Sequence, residues 1–182
     1  MKSYEVEIEG VAPGLLMHKF SDDQQAELAM AVKRAGKQAP DAKIEAEAGA
    51  YRLDDGGLYQ PSEHIYQSMV KAAGEFQIKG RGKKTYKDAV KGNIIIDPDC
   101  IPHKSNEYKI DARPVRIQRA RVIRRRPHLP TWALGFRITV IDDDAVPGEV
   151  LNAILVKAGQ CVGIGDYRPR FGRFVVTKFE SA

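Results

Sequence analysis

The stretch that constrains this chain most is residues 147–180, where a helical pattern, a loop dense in glycine and arginine, and a strand pattern follow one another directly. Val150, Leu151, Ile154, Leu155 and Ala158 make an apolar stripe at helical spacing, and Pro147 suits a first turn. Residues 173–179 read as a strand. Between the two lie Gly163, Gly165 and Gly172, together with Tyr167, Arg168, Arg170 and Phe171. A loop that only had to turn would not need all of these. Glycine carries no side chain to hold a ligand away, and arginine grips phosphate with a planar fork. The loop is therefore expected to lie against an anion, with nucleic acid the leading choice.

The rest of the chain supplies a mixed set of elements. Tyr4, Val6 and Ile8 alternate with Glu5, Glu7 and Glu9, the period of a half-buried strand, which continues past a bend at Pro13 and Gly14. Residues 21–40 read as a helix capped by Ser21, and 41–50 as linker or helix. Asp54, Asp55, Gly56 and Gly57 mark a turn. Pro61 and Ser62 open a helix carrying Ile65, Met69, Ala72, Ala73 and Phe76, and residues 93–96 read as a strand. Residues 114–126 and 131–141 are expected to form a long hairpin, whose second arm turns Trp132, Leu134, Phe136, Ile138 and Val140 one way. Stripped of insertions, the order is strand, helix, two strands, helix, strand. That is the plan of an α+β, ferredoxin-like βαββαβ core with an antiparallel sheet, shared by the RNA recognition motif. One domain is expected over 1–182, with a helical or linker insertion at about 18–57 and a basic loop and hairpin insertion at about 77–112.

Composition excludes several classes. A chain of 182 residues with 43% hydrophobic and 29% charged residues is ordinary for a globular protein. Cys100 and Cys161 have no cysteine near them, so neither a zinc site nor a disulfide framework is expected. No apolar run approaches a membrane span and the first residues lack a signal core, so a cytoplasmic protein without membrane contact is expected. No phosphate-binding loop, dinucleotide fingerprint or hydrolase motif is present, and no cofactor is expected. The net charge of +5 is a weak hint of an anionic partner; its distribution says more.

Positive charge gathers in three places. Residues 79–91 read as a mobile loop with Lys79, Arg81, Lys83, Lys84, Lys87 and Lys91, which serves as a clamp or as a solvated tip. Arg113, Arg116, Arg119, Arg121, Arg124, Arg125 and Arg126 put seven arginines within 14 positions, with few acids nearby to neutralise them. The glycine loop adds Arg168, Arg170 and Arg173. Such clusters release counterions from phosphates, and arginine and aromatic planes stack on exposed bases. The expected ligand is RNA or single-stranded DNA, held on the open sheet face or in the groove beside it. Gly163, Gly165 and Gly172 would admit the backbone, and Tyr167 and Phe171 would stack on bases.

The loop 163–174, Gly-Ile-Gly-Asp-Tyr-Arg-Pro-Arg-Phe-Gly-Arg-Phe, resembles the C-terminal glycine-rich loop of the RAMP superfamily, the RNA-recognition-like proteins that form the backbones of CRISPR effector complexes. Leu58, Tyr59, Gln60, Pro61 and Ser62 are similar to that superfamily's strand–proline–helix passage. The chain departs from the pattern at Ser62, Glu63 and His64, where the family has a Gly-Ser pair, and at Pro169 within the loop. The resemblance implies a diverged, non-catalytic RNA-binding protein. It also implies a homo-oligomer or a subunit of a ribonucleoprotein, in a CRISPR complex or in a phage or mobile-element system.

Some members of the superfamily cut RNA without metal through a histidine, and some use a loop aspartate. The resemblance thereby makes His64, His18 and Asp54 the catalytic candidates, the alternative being a metal-independent endoribonuclease. From the residues alone, a lone histidine is more often a packing residue, and Asp54 belongs to a common turn sequence. Asp22 and Asp23 read as a solvated helix start, and Asp142, Asp143 and Asp144 as helix capping in preference to a cation site. A third reading is a structural subunit whose basic face docks an acidic protein.

Overall fold

A computed structural model describes residues 1–19, 41–117 and 120–182. The expected helix at 21–40, with Asp22 and Asp23, lies outside the described residues, as does Arg119. Among the described residues no helix is long and apolar enough to cross a membrane.

The protein is an α+β structure with antiparallel sheets. Its first strand, β1 (Lys2–Gly10), turns Tyr4, Val6 and Ile8 inward, as the alternation predicts. β2 (Leu15–Leu16) follows the bend and leaves that sheet. A short helix, α1 (Ala42–Ala48), is capped by the Asp41 side chain on the Lys43 amide at 2.9 Å. β3 (Tyr59–Pro61) runs straight into α2 (Ser62–Ala73), and α3 (Lys87–Asn93) precedes β4 (Ile94–Asp97). Part of the expected mobile loop is thus helical. β5 (Cys100–Pro102) pairs with β3.

The predicted hairpin takes a different form. β6 (Lys109–Ile117) pairs with β7 (Ala120–Leu129), so the arginine-rich segment folds on itself. β8 (Ala133–Val140) joins β1 and β4 instead. The reason is burial. Leu134, Phe136, Ile138 and Val140 all need a core face, whereas a strand with arginine on both faces cannot enter the core without desolvating charge. The basic ribbon thus spans β6 and β7, from Lys109 to Leu129.

The main sheet has the order β4-β8-β1-β9, with β9 (Phe174–Ser181) at one edge and every neighbour antiparallel. α2 and α4 (Gly148–Lys157) cover one face, where Ile65 and Met69 meet Leu151, Ile154, Leu155 and the inward side chains of the strands in one core. The other face is acidic. Glu5, Glu7 and Glu9 of β1, Asp97 of β4 and Glu180 of β9 share it with two cations, Arg137 and Lys178. Among the described residues that face carries no aromatic platform and its charge opposes phosphate, which counts against the open face and leaves the groove beside it, the other expected location.

After α4 a single π-turn (Ala158–Val162) leads into the glycine loop. The loop folds against β2: the Gly172 amide donates to the Gly14 carbonyl at 2.8 Å, and the Asp166 amide to the Leu16 carbonyl at 2.8 Å. Gly172 has φ +77°, and a Cβ there would run into the Ile164 carbonyl. Gly56 has φ +86° but faces open space. Gly56→Ala is expected to cost about 1 kcal/mol, from the left-handed backbone alone. Gly172→Ala adds a main-chain collision and is expected to cost upwards of about 3 kcal/mol. Urea denaturation of both variants checks this, and equal midpoints would contradict it.

Candidate nucleic-acid interface and histidine cleft

Two buried plugs shape the glycine loop. Ile164 is fully buried and Phe171 nearly so, which leaves Tyr167, Arg168, Pro169 and Arg170 as an exposed tip between them. The buried Phe171 is not available for stacking on a base, contrary to expectation. Its ring instead meets His128 edge-on at 5.7 Å and Tyr167 at 6.1 Å. Tyr167 is 43% exposed and keeps a free face. The glycines also differ from expectation. A Cβ on Gly165 would lie 2.5 Å from Leu15 and 2.6 Å from the Leu16 carbonyl, and one on Gly163 would press on Gly172 at 3.0 Å. These glycines make room for the protein's own chain, and the tip alone faces outward.

The arginines divide by the pleat of the hairpin. Successive side chains alternate between faces, so Arg124 and Arg126 share one face of β7 while Arg121 and Arg125 share the other. On the first face, Arg113 lies directly opposite Arg124. Its guanidinium sits 4.6 Å from the Phe171 ring centroid and 5.8 Å from that of Tyr167, held by Asp111 at 2.7 Å. On the second face, Arg116 lies opposite Arg121. Arg125 and Arg126 are already engaged, Arg125 with Glu45 at 3.0 Å and Arg126 with Asp166 at 2.6 Å. They hold the hairpin to α1 and to the glycine loop, so they are not free phosphate grips. Arg116, Arg121, Arg124, Arg168, Arg170 and Arg173 have no carboxylate partner among the described residues, and neither do Lys83 and Lys84 in the 79–86 turn.

A second feature lies beside the tip. His18 and His64 line one open cleft of about 240 Å³ with Gly165 and Asp166. The main-chain bond from Asp166 to Leu16 brings the loop beside residue 18, and α2 supplies His64 from its first turn. His18 Nδ1 lies 3.4 Å from the Asp166 carboxylate. That carboxylate is held down to about pKa 2, first by His18, then by the Tyr167 amide and the Arg126 charge, against the opposing effect of burial. An ionised carboxylate only accepts, so Nδ1 of His18 donates and Nε2 carries the lone pair of the neutral ring. The Gln60 side-chain amide donates to His64 Nδ1, so Nε2–H is the outward donor of the neutral ring. Burial pushes the His64 pKa down, and the charge of Arg168 pushes it further. Tyr51 links the pair: its hydroxyl donates to the His18 carbonyl at 3.3 Å and its ring meets His64 edge-on at 5.5 Å.

Asp54 does not join this cleft. It stands in the turn that the sequence pattern predicts, where the Asp55 carboxylate accepts from the Gly57 amide at 2.8 Å. Asp142 likewise accepts from the amides of Asp144 and Ala145 ahead of α4. Sequence reasoning missed Asp166, Tyr51 and Gln60 as site residues, and it named Arg113 only as one of the arginine cluster. Asp166 sat inside the loop it singled out; Tyr51 and Gln60 carry no signal that one sequence reveals. No protein-family model matches the chain, and no curated protein matches it in sequence.

Asp166 also sets a pH dependence. Its folded pKa lies below the ordinary value of 3.8, so the stability it contributes is full above about pH 5 and is lost as pH falls toward 2. Asp166→Asn leaves Arg126 without its counter-charge and is expected to cost about 2 kcal/mol at neutral pH. The gap between variant and parent should close as the parent carboxylate protonates. Denaturant midpoints from pH 7 to pH 3 test this, and a gap independent of pH would show that Asp166 is not held down.

Proposed function

We propose that this chain is a single-stranded nucleic-acid-binding protein, favouring RNA, that grips phosphates with its arginine hairpin and the tip of its glycine loop. We propose also that its core is ferredoxin-like, of the kind found in RNA-recognition proteins and the RAMP superfamily. The chain order β1-α2-β4-β8-α4-β9 and the sheet order β4-β8-β1-β9 support that assignment. The observation that carries the binding reading is the pairing of like charges. Arg116 faces Arg121 across adjacent strands with no carboxylate partner among the described residues, and Arg124 faces Arg113, whose own charge Asp111 offsets. Like charges in these positions are destabilising by themselves, and an anionic strand turns the cost into affinity. Arg168, Arg170 and the exposed face of Tyr167 extend this surface beside Arg113. Repeated copies along one strand form the proposed assembly.

Anisotropy of a labelled ~30-nucleotide RNA and its DNA counterpart, across a salt series, tests this reading. Binding should weaken steeply with salt. Replacing Arg116 and Arg121, or Arg168 and Arg170, by alanine should flatten the slope by about 0.7 for each phosphate that is no longer neutralised. A slope unchanged in both folded variants would sink the proposal.

The histidine cleft favours a second reading, an endoribonuclease that needs no metal for proton transfer. Nε2 of His18 takes the proton of a 2′-hydroxyl, whose oxygen attacks the adjacent phosphorus. The bond to the departing 5′-oxygen breaks as His64 gives that oxygen a proton from Nε2, its ring protonated with the Gln60 amide turned so that Oε1, otherwise unpartnered, accepts from Nδ1–H. The products are a 2′,3′-cyclic phosphate and a 5′-hydroxyl. The lowered pKa of His64 makes its acid form scarce above 6.5, so cutting should decline as pH rises well above that value. His64→Ala and His18→Ala should each abolish cutting in EDTA while leaving binding intact. RNA that stays whole with stoichiometric protein excludes this reading and leaves the first untouched.

A further inference from the structure

Gln60 is the middle residue of β3, wholly buried, and stands one position ahead of Pro61, from which α2 starts. No side chain caps that helix; the Gln60 amide goes instead to the ring of His64, four positions on. Among the described residues nothing else meets this amide. Its nitrogen bonds only to His64 Nδ1, and its oxygen bonds to nothing. Buried polar atoms are normally satisfied, so a bare carbonyl oxygen in the interior calls for a reason. The His64 ring supplies one. The two ends of a glutamine amide have nearly the same shape and its last torsion is two-fold, so they exchange places without extra room. With no other partner to choose between them, the orientation answers to His64 alone.

We infer that Gln60 is a positioning residue whose amide, by turning end for end, sets which nitrogen of His64 holds a proton and whether the ring can release one into the cleft. With the amide nitrogen on Nδ1, the ring is neutral and its one proton sits on Nε2. That proton can bond to a phosphate oxygen but cannot be given away, because the ring left behind would be an anion. A proton taken from water at Nδ1 sets one N–H against another, and the amide turns so that Oε1 accepts it. Nε2 then gives its proton to the departing oxygen, and the neutral ring that remains keeps Nδ1–H on Oε1. A proton from water returns to Nε2 and restores the cation. The amide thus separates a resting ring from a working one while the ring stays in place. The charges around His64 act on it from elsewhere. Arg168 of the loop tip opposes the cation and Glu63 beside it on α2 favours it. His18 and Asp166 share the cleft, and Tyr51 meets the ring edge-on. Among the described residues only Gln60 bonds to Nδ1.

The part Gln60 plays in cutting rests on the endoribonuclease reading, but the proton itself is read without RNA. Nitrogen-resolved NMR of the whole protein follows the His64 ring and the Gln60 side-chain amide through a pH titration. The signals are assigned by their loss in His64→Ala and Gln60→Met. In the neutral ring Nδ1 should resonate as a bare nitrogen and Nε2 as N–H. As pH falls, the Gln60 amide signals should move with the same midpoint as the ring. A neutral ring with its proton on Nδ1, or an amide that stays still while the ring titrates, overturns the inference, and both are read on the unaltered protein. Gln60→Met offers Nδ1 neither a donor nor an acceptor. A hydrogen bond to the cation outweighs one to the neutral ring, so this variant should titrate at lower pH and cut RNA about tenfold more slowly near neutral pH. Gln60→Glu keeps an acceptor for Nδ1–H and should move both the titration and the decline of cutting to higher pH. A His64 titration unchanged in Gln60→Met also overturns the inference. RNA that stays whole while ring and amide move together bears out the pairing and ends the endoribonuclease reading alone. RNA cut by a protein whose Gln60 amide never turns ends this inference alone.

Discussion

Two main-chain hydrogen bonds, from Gly172 to Gly14 and from Asp166 to Leu16, hang the glycine loop on the segment that leaves the first strand. Everything at this end of the molecule depends on them. They fix Asp166 beside residue 18, and Asp166 then orients His18 and balances the buried Arg126 of β7. They can form only because Gly165 and Gly172 lack a Cβ, since the space belongs to Leu15, the Leu16 carbonyl and the Ile164 carbonyl. The glycines are thus a requirement of close chain packing. The loop's outward chemistry rests on four exposed residues, 167–170, carried on that rigid base.

The distribution of charge follows from the same division of labour. The sheet's open face holds five carboxylates against two cations, so an anion meets repulsion there. The cations gather on the hairpin, on the loop tip and in residues 79–91. Arg125 and Arg126 are consumed in holding that hairpin down, and their partners, Glu45 and Asp166, come from different parts of the chain. What remains free is therefore a subset of the arginines visible in the sequence. Arg113 is intermediate: Asp111 holds its guanidinium, yet its plane lies over Phe171 and close to Tyr167.

Period and capping made much of the architecture legible. The alternation in β1 and β8 and the stripes of α2 and α4 were visible because each element buries one face against one core. The partner of β7 was not. Basic residues at both parities hide the pleat, and nothing local in residues 114–126 says that this segment folds back on residues 109–117 instead of pairing with β8. Among site residues, His18 and His64 were nameable only as separate histidines. Their meeting depends on contacts between residues 18 and 166, more than a hundred positions apart, which no local pattern encodes.

The cleft and the arginine surface are mechanically one unit, and this bears on how the two functional readings relate. Arg126, which steadies Asp166, and Arg124, which faces Arg113, lie two residues apart on the same face of β7. A strand drawn against Arg113 and Arg124 loads the same β-ribbon that holds the carboxylate orienting His18. In the proposed binding mode, phosphate gripping and the setting of the His18 ring are therefore linked through one strand. Loop, hairpin and cleft are joined by Arg126 and Asp166. The two proposed functions, binding and cutting, then differ only in whether a 2′-hydroxyl comes to lie between His18 and His64, which makes substrate placement, and not a separate catalytic apparatus, the step that would distinguish them.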